Sequence, residues 1–201
     1  MDHLLSLPAW TIAALQALLY LALAPLLVGW VRKVKARLQN RRGAPVLQPF
    51  SDLRKLLSKE VHVAHTASPL FRIAPYIVFT ATWMAAATVP LLAVELPTAA
   101  MADIVVLVGL LALGRFFLAL AGMDVGTAFG GMGSSREMLV SALAEPAMLM
   151  AVFTLAMQAH STNLSAVINY QLVLGLSLKP SLLFALAGLS LVAIAETGRI
   201  P

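Results

Sequence analysis

The sequence predicts an all-α integral membrane protein with about five transmembrane helices. Hydrophobic residues make up 60% of the 201 residues and charged residues only 11%, whereas soluble domains are about one quarter charged. Mean hydropathy is +0.89. Apolar runs of about twenty residues recur, which is the length a spanning helix needs and about twice that of a barrel strand. The absence of cysteine excludes disulfides and cysteine-ligated zinc or iron–sulfur clusters held by this chain alone.

The first predicted span, residues 8–31, contains no charge and places Trp10 and Trp30 near its ends, as interfacial anchors do. Residues 32–70 then contain nine cationic residues and only two acidic ones, Asp52 and Glu60. By the positive-inside rule this segment is cytoplasmic and the N-terminus lies outside. The net charge of +5 is concentrated in this segment, so the positive-inside rule accounts for the basic residues. Nucleic acid is therefore not an expected partner.

Within the cytoplasmic segment, the sequence predicts a short amphipathic helix that Ser51 caps and that ends near Glu60. Apolar residues fall on one side of it and charged residues largely elsewhere, so it is expected to lie along the membrane interface. The simplest interpretation of such a helix is an anchor to lipid headgroups.

Four further spans are predicted near residues 71–94, 103–123, 138–160 and 181–198, with residues 161–180 outside. Between the third and fourth spans, residues 122–135 are rich in glycine and serine. This composition predicts a loop at the membrane surface, with a helix that opens at Ser135. The chain is expected to form a single membrane domain.

The predicted topology gathers three ionisable residues in the cytoplasmic half of the membrane. Arg115 and Glu145 would each lie roughly 12 Å from the inner face at 1.5 Å per residue, and Glu196 would lie near that face. One interpretation is a structural ion pair that locks the helices together. The other is a hydrated site whose carboxylates take up and pass on protons, because intramembrane charges are costly and usually functional.

Three long segments carry a resemblance to a known family: ARLQNRRGAPVLQPFSDLRKLLSKE (36–60), LALGRFFLALAGMDVGTAFGGMGSSREMLVSALAEPAML (111–149) and IAETGRIP (194–201). Together they resemble the complex I subunit 1 family. Within it the likeness is to the membrane anchor of energy-converting (group 4) NiFe hydrogenases and formate hydrogenlyase. The resemblance extends over essentially the whole chain, in unbroken order.

The resemblance implies a subunit of a membrane-bound oxidoreductase in the inner membrane of a bacterium or archaeon. The implied partners are hydrogenase large and small subunits, an iron–sulfur protein and antiporter-like membrane subunits. Those partners would carry 4Fe–4S clusters and a NiFe centre, while this chain would hold no cofactor, metal or catalytic residue. Carried across by position, the ion-coupling funnel would comprise Arg115, Glu145, Glu196 and Arg199. The surface that docks the peripheral arm would comprise Arg41, Arg42, Gln48, Asp52, Lys55, Asp124, Arg136 and Glu137.

Two departures from the family pattern bear on this interpretation. The family continues beyond Ile200-Pro201 with an acidic loop and further helices, so the chain is expected to be either a fragment or a shortened version. Quinone-reducing members usually place Ser-Tyr-Glu where Leu143, Ala144 and Glu145 stand, which favours the hydrogenase branch. The alternatives are the quinone-site subunit of an NADH or ferredoxin dehydrogenase and a stand-alone transporter or channel. The one-sided charge cluster and the lack of an internal repeat disfavour the transporter.

Overall fold

The computed structural model describes residues 7–94, 98, 102–174 and 180–197, with side chains described for 9–94, 98, 102–173 and 180–195. Throughout these residues the architecture is helical, with one isolated bridge between Asp103 and Asn163. The all-α prediction is confirmed. The helices are α1 (Leu7–Leu38), α2 (Gln48–Leu57), α3 (Pro69–Thr88), α4 (Ile104–Asp124), α5 (Ala128–Ala159), α6 (Leu164–Leu174) and α7 (Pro180–Thr197).

Four helices are long and apolar enough to cross a membrane: α1, α3, α4 and α5. The fifth predicted span coincides with α7, whose described side chains form the shorter apolar stretch Pro180–Ala195. The chain divides into two compact units, one formed by residues 14–63 and the other by residues 1–13 and 64–201.

In the unit of residues 14–63, α1 continues past the predicted end of the first span and carries the first basic residues to Leu38. Asn40 ends the helix with a left-handed backbone (φ 56°), a conformation that asparagine tolerates. The predicted capping of α2 by Ser51 is wrong. The helix begins three residues earlier, with Pro49 in its first turn, and the Ser51 hydroxyl donates to the Gln48 carbonyl oxygen (3.1 Å).

In the other unit, side chains cap the helices that follow turns. Ser68 accepts from the Leu70 N–H at the start of α3, and Asp103 accepts from the Val105 N–H at the start of α4. Residues 161–180, predicted only to lie outside, contain α6. Asn163 caps α6 through the Ser165 N–H (2.9 Å).

The prediction of a glycine-rich loop between the third and fourth spans is wrong. Helix α5 begins at Ala128, and Thr127 caps it by accepting from the Gly130 N–H (3.1 Å). A Cβ placed on Gly130 would overlap the carbonyl oxygen of Gly122 on α4. Each glycine costs a helix about 1 kcal/mol relative to alanine. Here the close packing of the two backbones offsets that cost, and only residues 125–127 separate α4 from α5.

Helices α4 and α5 are joined at both ends, although they differ in length. At one end Gly122 approaches Ser134, and at the other the Ile104 N–H donates to the Thr162 carbonyl oxygen (3.0 Å). Between these points α4 advances about 27 Å, whereas α5 from Ser134 to Ala159 advances about 38 Å. The difference is about 11 Å, so α5 either extends past the contact at Thr162 or inclines relative to α4, and Pro146 lies within this stretch.

Candidate functional site

The candidate site is an ion pair between the middle of α4 and the middle of α5. Arg115 Nη1 lies 3.8 Å from Glu145 Oε1, and the two side chains are 16% and 30% exposed. That separation is an ion-pair distance but is too long for a direct hydrogen bond between these two atoms. The pair lies about nine residues from the end of α4 at Asp124, roughly 14 Å along the helix.

A groove of about 390 Å³ runs beside the pair. It is lined by small and apolar residues of both helices, together with the two charged side chains and the hydroxyl-bearing Ser141: Gly109, Ala112, Leu113, Phe116, Met138 and Ala142. Ser141 is buried and was not among the predicted site residues. A single serine in an apolar run, between Val140 and Ala142, gives no sequence signal for a polar lining. The groove is large enough to hold several water molecules beside the carboxylate.

The turn between α4 and α5 is fastened to the start of α3. The Ser68 N–H donates to Asp124 Oδ2 (2.8 Å), and the Thr66 hydroxyl donates to the Val125 carbonyl oxygen (3.2 Å). Asp124 therefore positions the turn through its own carboxylate. On the first turns of α5, Arg136 is exposed and Glu137 is half-buried.

Helix α7 runs antiparallel to α5. Gln158 Nε2 donates to the Ser181 hydroxyl (2.8 Å), and a Cβ on Gly188 would lie 3.8 Å from the Ala151 Cβ. Continuing this register places the backbone of Glu196 at the level of Leu143, two residues from Glu145. The side chain of Glu196 and the whole of Arg199 lie outside the described residues.

The remaining candidates lie in the unit of residues 14–63. Asp52 accepts from Gln48 Nε2 (3.1 Å) and pairs with Arg32 Nη1 at 3.8 Å. Lys55 is exposed on the next turn of α2, and Arg41 and Arg42 are exposed in the preceding loop. Arg32 was not among the predicted site residues, although it is the first cation after the apolar span. Within the described part of the chain, no three histidine, aspartate or glutamate residues gather as a metal site would require.

The sequence of this chain is similar to those of known membrane-complex subunits. A family model described as NADH dehydrogenase matches residues 10–201. Formate hydrogenlyase subunit 4 of Escherichia coli K12 is 35% identical over 93% of this chain and 61% of its own length. Hydrogenase-4 component C of the same organism is 36% identical over 94% of this chain and 60% of its own length.

More distant matches include quinone-linked and sulfur-reducing complexes. NADH-quinone oxidoreductase subunit 8 of Rhodothermus marinus is 33% identical over 89% of this chain and 55% of its own length. A chain in the structure of a membrane-bound sulfane sulfur reductase, an archaeal respiratory membrane complex, superposes with a TM-score of 0.77 over 97% of this chain at 22% identity. That likeness shows a shared fold and covers 64% of the archaeal chain.

The chain spans about 60% of the length of the hydrogenase relatives it matches. The match to the family model covers almost the whole chain, and the predicted resemblance is confirmed. The chain belongs to the NADH dehydrogenase family of membrane subunits, the complex I subunit 1 family.

Proposed function

We propose that this chain anchors the peripheral arm of a hydrogenase complex to the inner membrane of a bacterium or archaeon. In this proposal it also couples electron transfer in that arm to the translocation of protons or sodium ions. The observation that carries the proposal is the Arg115–Glu145 pair, which lies within the spanning lengths of α4 and α5 beside a groove. Charged groups at such depth are costly, so a function is the expected reason for keeping them. Similarity to two hydrogenase-complex subunits supports the choice of complex.

The geometry of the pair suits a site that changes its protonation. Arg115 and Glu145 are close enough to attract each other, yet no direct hydrogen bond joins Nη1 to Oε1 at 3.8 Å. When Glu145 is ionised, the guanidinium of Arg115 balances its charge, and a proton on Glu145 removes that attraction. A change of charge in a docked arm would shift the equilibrium between protonated and ionised Glu145. Glu196 and Arg199 would extend the ion-coupling funnel toward the inner face.

Two surfaces would receive the peripheral arm. One comprises Arg41 and Arg42 with the polar face of α2, which carries Gln48, Asp52 and Lys55. The other is the turn between α4 and α5 with the residues that follow it, Asp124, Arg136 and Glu137. In this proposal the hydrogenase large and small subunits and an iron–sulfur protein carry the 4Fe–4S clusters and the NiFe centre. Antiporter-like subunits would continue the ion path, and this chain would hold no redox centre.

The test is Glu145→Gln in the whole complex, reconstituted into vesicles. Hydrogen turnover and ion movement are measured together. We expect the complex to assemble and the number of ions moved per hydrogen molecule to fall toward zero, because the amide cannot take up a proton. The matched control is Glu60→Gln, since Glu60 is 92% exposed and pairs only with His62 among the ion pairs of the described residues. Unchanged ion movement in Glu145→Gln would refute the role given to this carboxylate.

A second candidate function is the quinone-site subunit of a complex I-type NADH or ferredoxin dehydrogenase. The 33% identity to an NADH-quinone oxidoreductase subunit favours it. The two functions differ in what co-purifies with the chain. Nickel in the purified complex supports the hydrogenase assignment. Inhibition by a quinone analogue that also protects residues 41–59 from chemical labelling supports the quinone assignment.

A further inference from the structure

Ser141 brings to the groove a hydroxyl that its own helix does not use. The residue is only 8% exposed, and it lines the groove beside the ion pair. Other helical serines donate to the carbonyl oxygen three residues back, Ser135 to Met132 (3.0 Å) and Ser190 to Ala187 (2.7 Å). Among the described residues, the Ser141 hydroxyl makes no hydrogen bond of this or any other kind. Because buried hydroxyl groups are as a rule hydrogen-bonded, water in the groove is the expected partner.

Pro146 leaves a second polar group without its usual helical partner. In a regular helix the N–H of residue 146 would donate to the carbonyl oxygen of Ala142, four residues back. Proline has no N–H, so the Ala142 carbonyl loses this bond. Ala142 lines the same groove. In membrane helices, a carbonyl freed by proline is satisfied by an ordered water, a neighbouring hydroxyl or an adjacent helix.

The spacing of these two groups and Glu145 suits a single water molecule. Ser141 and Glu145 are one helical turn apart, with about 5–6 Å between their Cβ atoms. At 100° per residue, Ser141, Ala142 and Glu145 fall within an arc of about 100° on α5. Opposite them, Arg115 Nη1 lies 3.8 Å from Glu145 Oε1, a separation that a hydrogen-bonded water can bridge.

The charges beside the groove favour a neutral ligand. A hydroxyl, a carbonyl and a carboxylate are also the oxygen donors that a hard metal cation prefers. The guanidinium of Arg115 already balances the charge of Glu145 at 3.8 Å, and it would repel a second cation placed there. Water therefore fits these donors better than a sodium ion does.

We propose that the Ser141 hydroxyl, the Ala142 carbonyl and the Glu145 carboxylate bind one ordered water molecule, which also contacts the Arg115 guanidinium. Ser141 is then a positioning residue that holds this water against the carboxylate. The water passes a proton to ionised Glu145 and takes one from a second water in the groove, so no hydroxide remains. The same steps run in reverse when Glu145 releases its proton. The relay rests on the coupling role proposed for Glu145, whereas the binding of the water does not.

Radiolytic labelling tests whether the water is bound, because X-rays convert water beside a side chain into hydroxyl radicals that oxidise it. Met138 lines the groove one turn before Ser141, whereas Met150 is not among the residues that line it. The assembled complex is irradiated in lipid nanodiscs, and the oxidation of each methionine is measured by mass spectrometry. We expect Met138 to be oxidised severalfold faster than Met150, although Met150 is 72% exposed and Met138 only 37%. Oxidation of Met138 no faster than that of Met150 would overturn the proposal.

Three substitutions assign the water to its proposed partners. We expect Ser141→Ala to lower the oxidation of Met138 at least twofold. Pro146→Ala should lower it as well, because alanine supplies an N–H to the Ala142 carbonyl and so removes one partner of the water. Ser190→Ala is the matched control, since it removes only a hydrogen bond within α7 and should leave the oxidation of Met138 unchanged. Unchanged oxidation in Ser141→Ala would refute the role of this hydroxyl in binding water.

The relay is tested by the number of protons moved per hydrogen molecule when the complex is reconstituted into vesicles. We expect Ser141→Ala to lower this number severalfold and Ser141→Thr, which keeps a hydroxyl, to retain most of it. Full coupling in Ser141→Ala, together with reduced oxidation of Met138, would show that the water is only structural and would overturn the relay. If Glu145→Gln keeps full coupling while Ser141→Ala still lowers the oxidation of Met138, the coupling role of Glu145 fails and the water site stands.

Discussion

Two ion pairs of the same length show how different the two units of this protein are. In the unit of residues 14–63, Arg32 and Asp52 approach to 3.8 Å with side chains 64% and 42% exposed. In the other unit, Arg115 and Glu145 also approach to 3.8 Å, but they are 16% and 30% exposed. The first pair lies where water and salt screen it, and the second lies within the spanning part of two apolar helices.

The distance between two charges therefore does not set their contribution to stability. An exposed pair contributes about 0–1 kcal/mol, because water solvates each charge nearly as well as the partner does. Within the apolar span there is no bulk water, so the attraction between Arg115 and Glu145 offsets a larger share of the cost of each charge. We therefore expect a change in one partner to have a small effect at the Arg32–Asp52 pair and a large effect at the Arg115–Glu145 pair.

The largest expected effect is that of Arg115→Met. This change leaves the Glu145 carboxylate without its counter-charge, and breaking a buried pair in this way costs about 3–5 kcal/mol. We expect the free energy of unfolding, measured by denaturant titration of the chain in mixed micelles, to fall by that order. A loss below about 1 kcal/mol would show that the pair behaves like an exposed one.

The double variant Arg115→Met with Glu145→Met tests whether the cost of Arg115→Met comes from the unpaired carboxylate. It removes both charges and fills their space with apolar side chains, a change that is often neutral or stabilising at buried pairs. We expect stability to return near that of the unmodified chain while ion movement by the complex stays lost. Recovery of stability without recovery of coupling would separate the structural contribution of the pair from its functional one. A double variant as unstable as Arg115→Met would contradict this expectation.

An intermediate effect is expected at the contact of α4 with α5. In Gly130→Ala the new Cβ overlaps the Gly122 carbonyl oxygen, and overpacking of this kind costs about 1–3 kcal/mol. Gly133→Ala is the matched control, because a Cβ there meets nothing within 4 Å. It should stabilise the helix by about 0.5–1 kcal/mol. The midpoints of thermal unfolding of the two variants should therefore shift in opposite directions, and a rise for both would show that helix propensity alone governs the start of α5.

The sequence predicted the features that depend on local composition. Hydropathy located α1, α3, α4 and α5, and most of their ends lie within two residues of the predicted ones. The number of residues between each charge and the predicted inner face placed Arg115 and Glu145 at one depth. The start of α5 was missed because glycine disfavours a helix locally, whereas the approach of Gly130 to Gly122 is a tertiary contact. No single-sequence pattern reports such a contact.

The start of α2 was misplaced for a related reason. Ser51 has the chemistry of a capping residue, but Pro49 also suits a first helical turn, and the packing of the loop against Gly29 selected the earlier start. The unequal lengths of α4 and α5 between their two points of contact are likewise a property of the assembled helices. A hydrated site at Glu145 was one of the two predicted interpretations, but the lining of the groove could not be predicted, since it depends on where those helices touch.

The smallest effect is expected for Asp52→Asn. The exposed pair with Arg32 loses its charge attraction, while the amide can still accept a hydrogen bond from Gln48 Nε2. We expect the free energy of unfolding at low salt to fall by less than about 1 kcal/mol, and the difference to vanish near 1 M salt, where the Debye length is about 3 Å. Arg115→Met measured in the same titrations should keep its deficit, because salt does not enter the hydrocarbon. If the deficit of Asp52→Asn persisted at high salt, Asp52 would be screened from solvent, and the contrast between the two pairs would no longer be one of exposure.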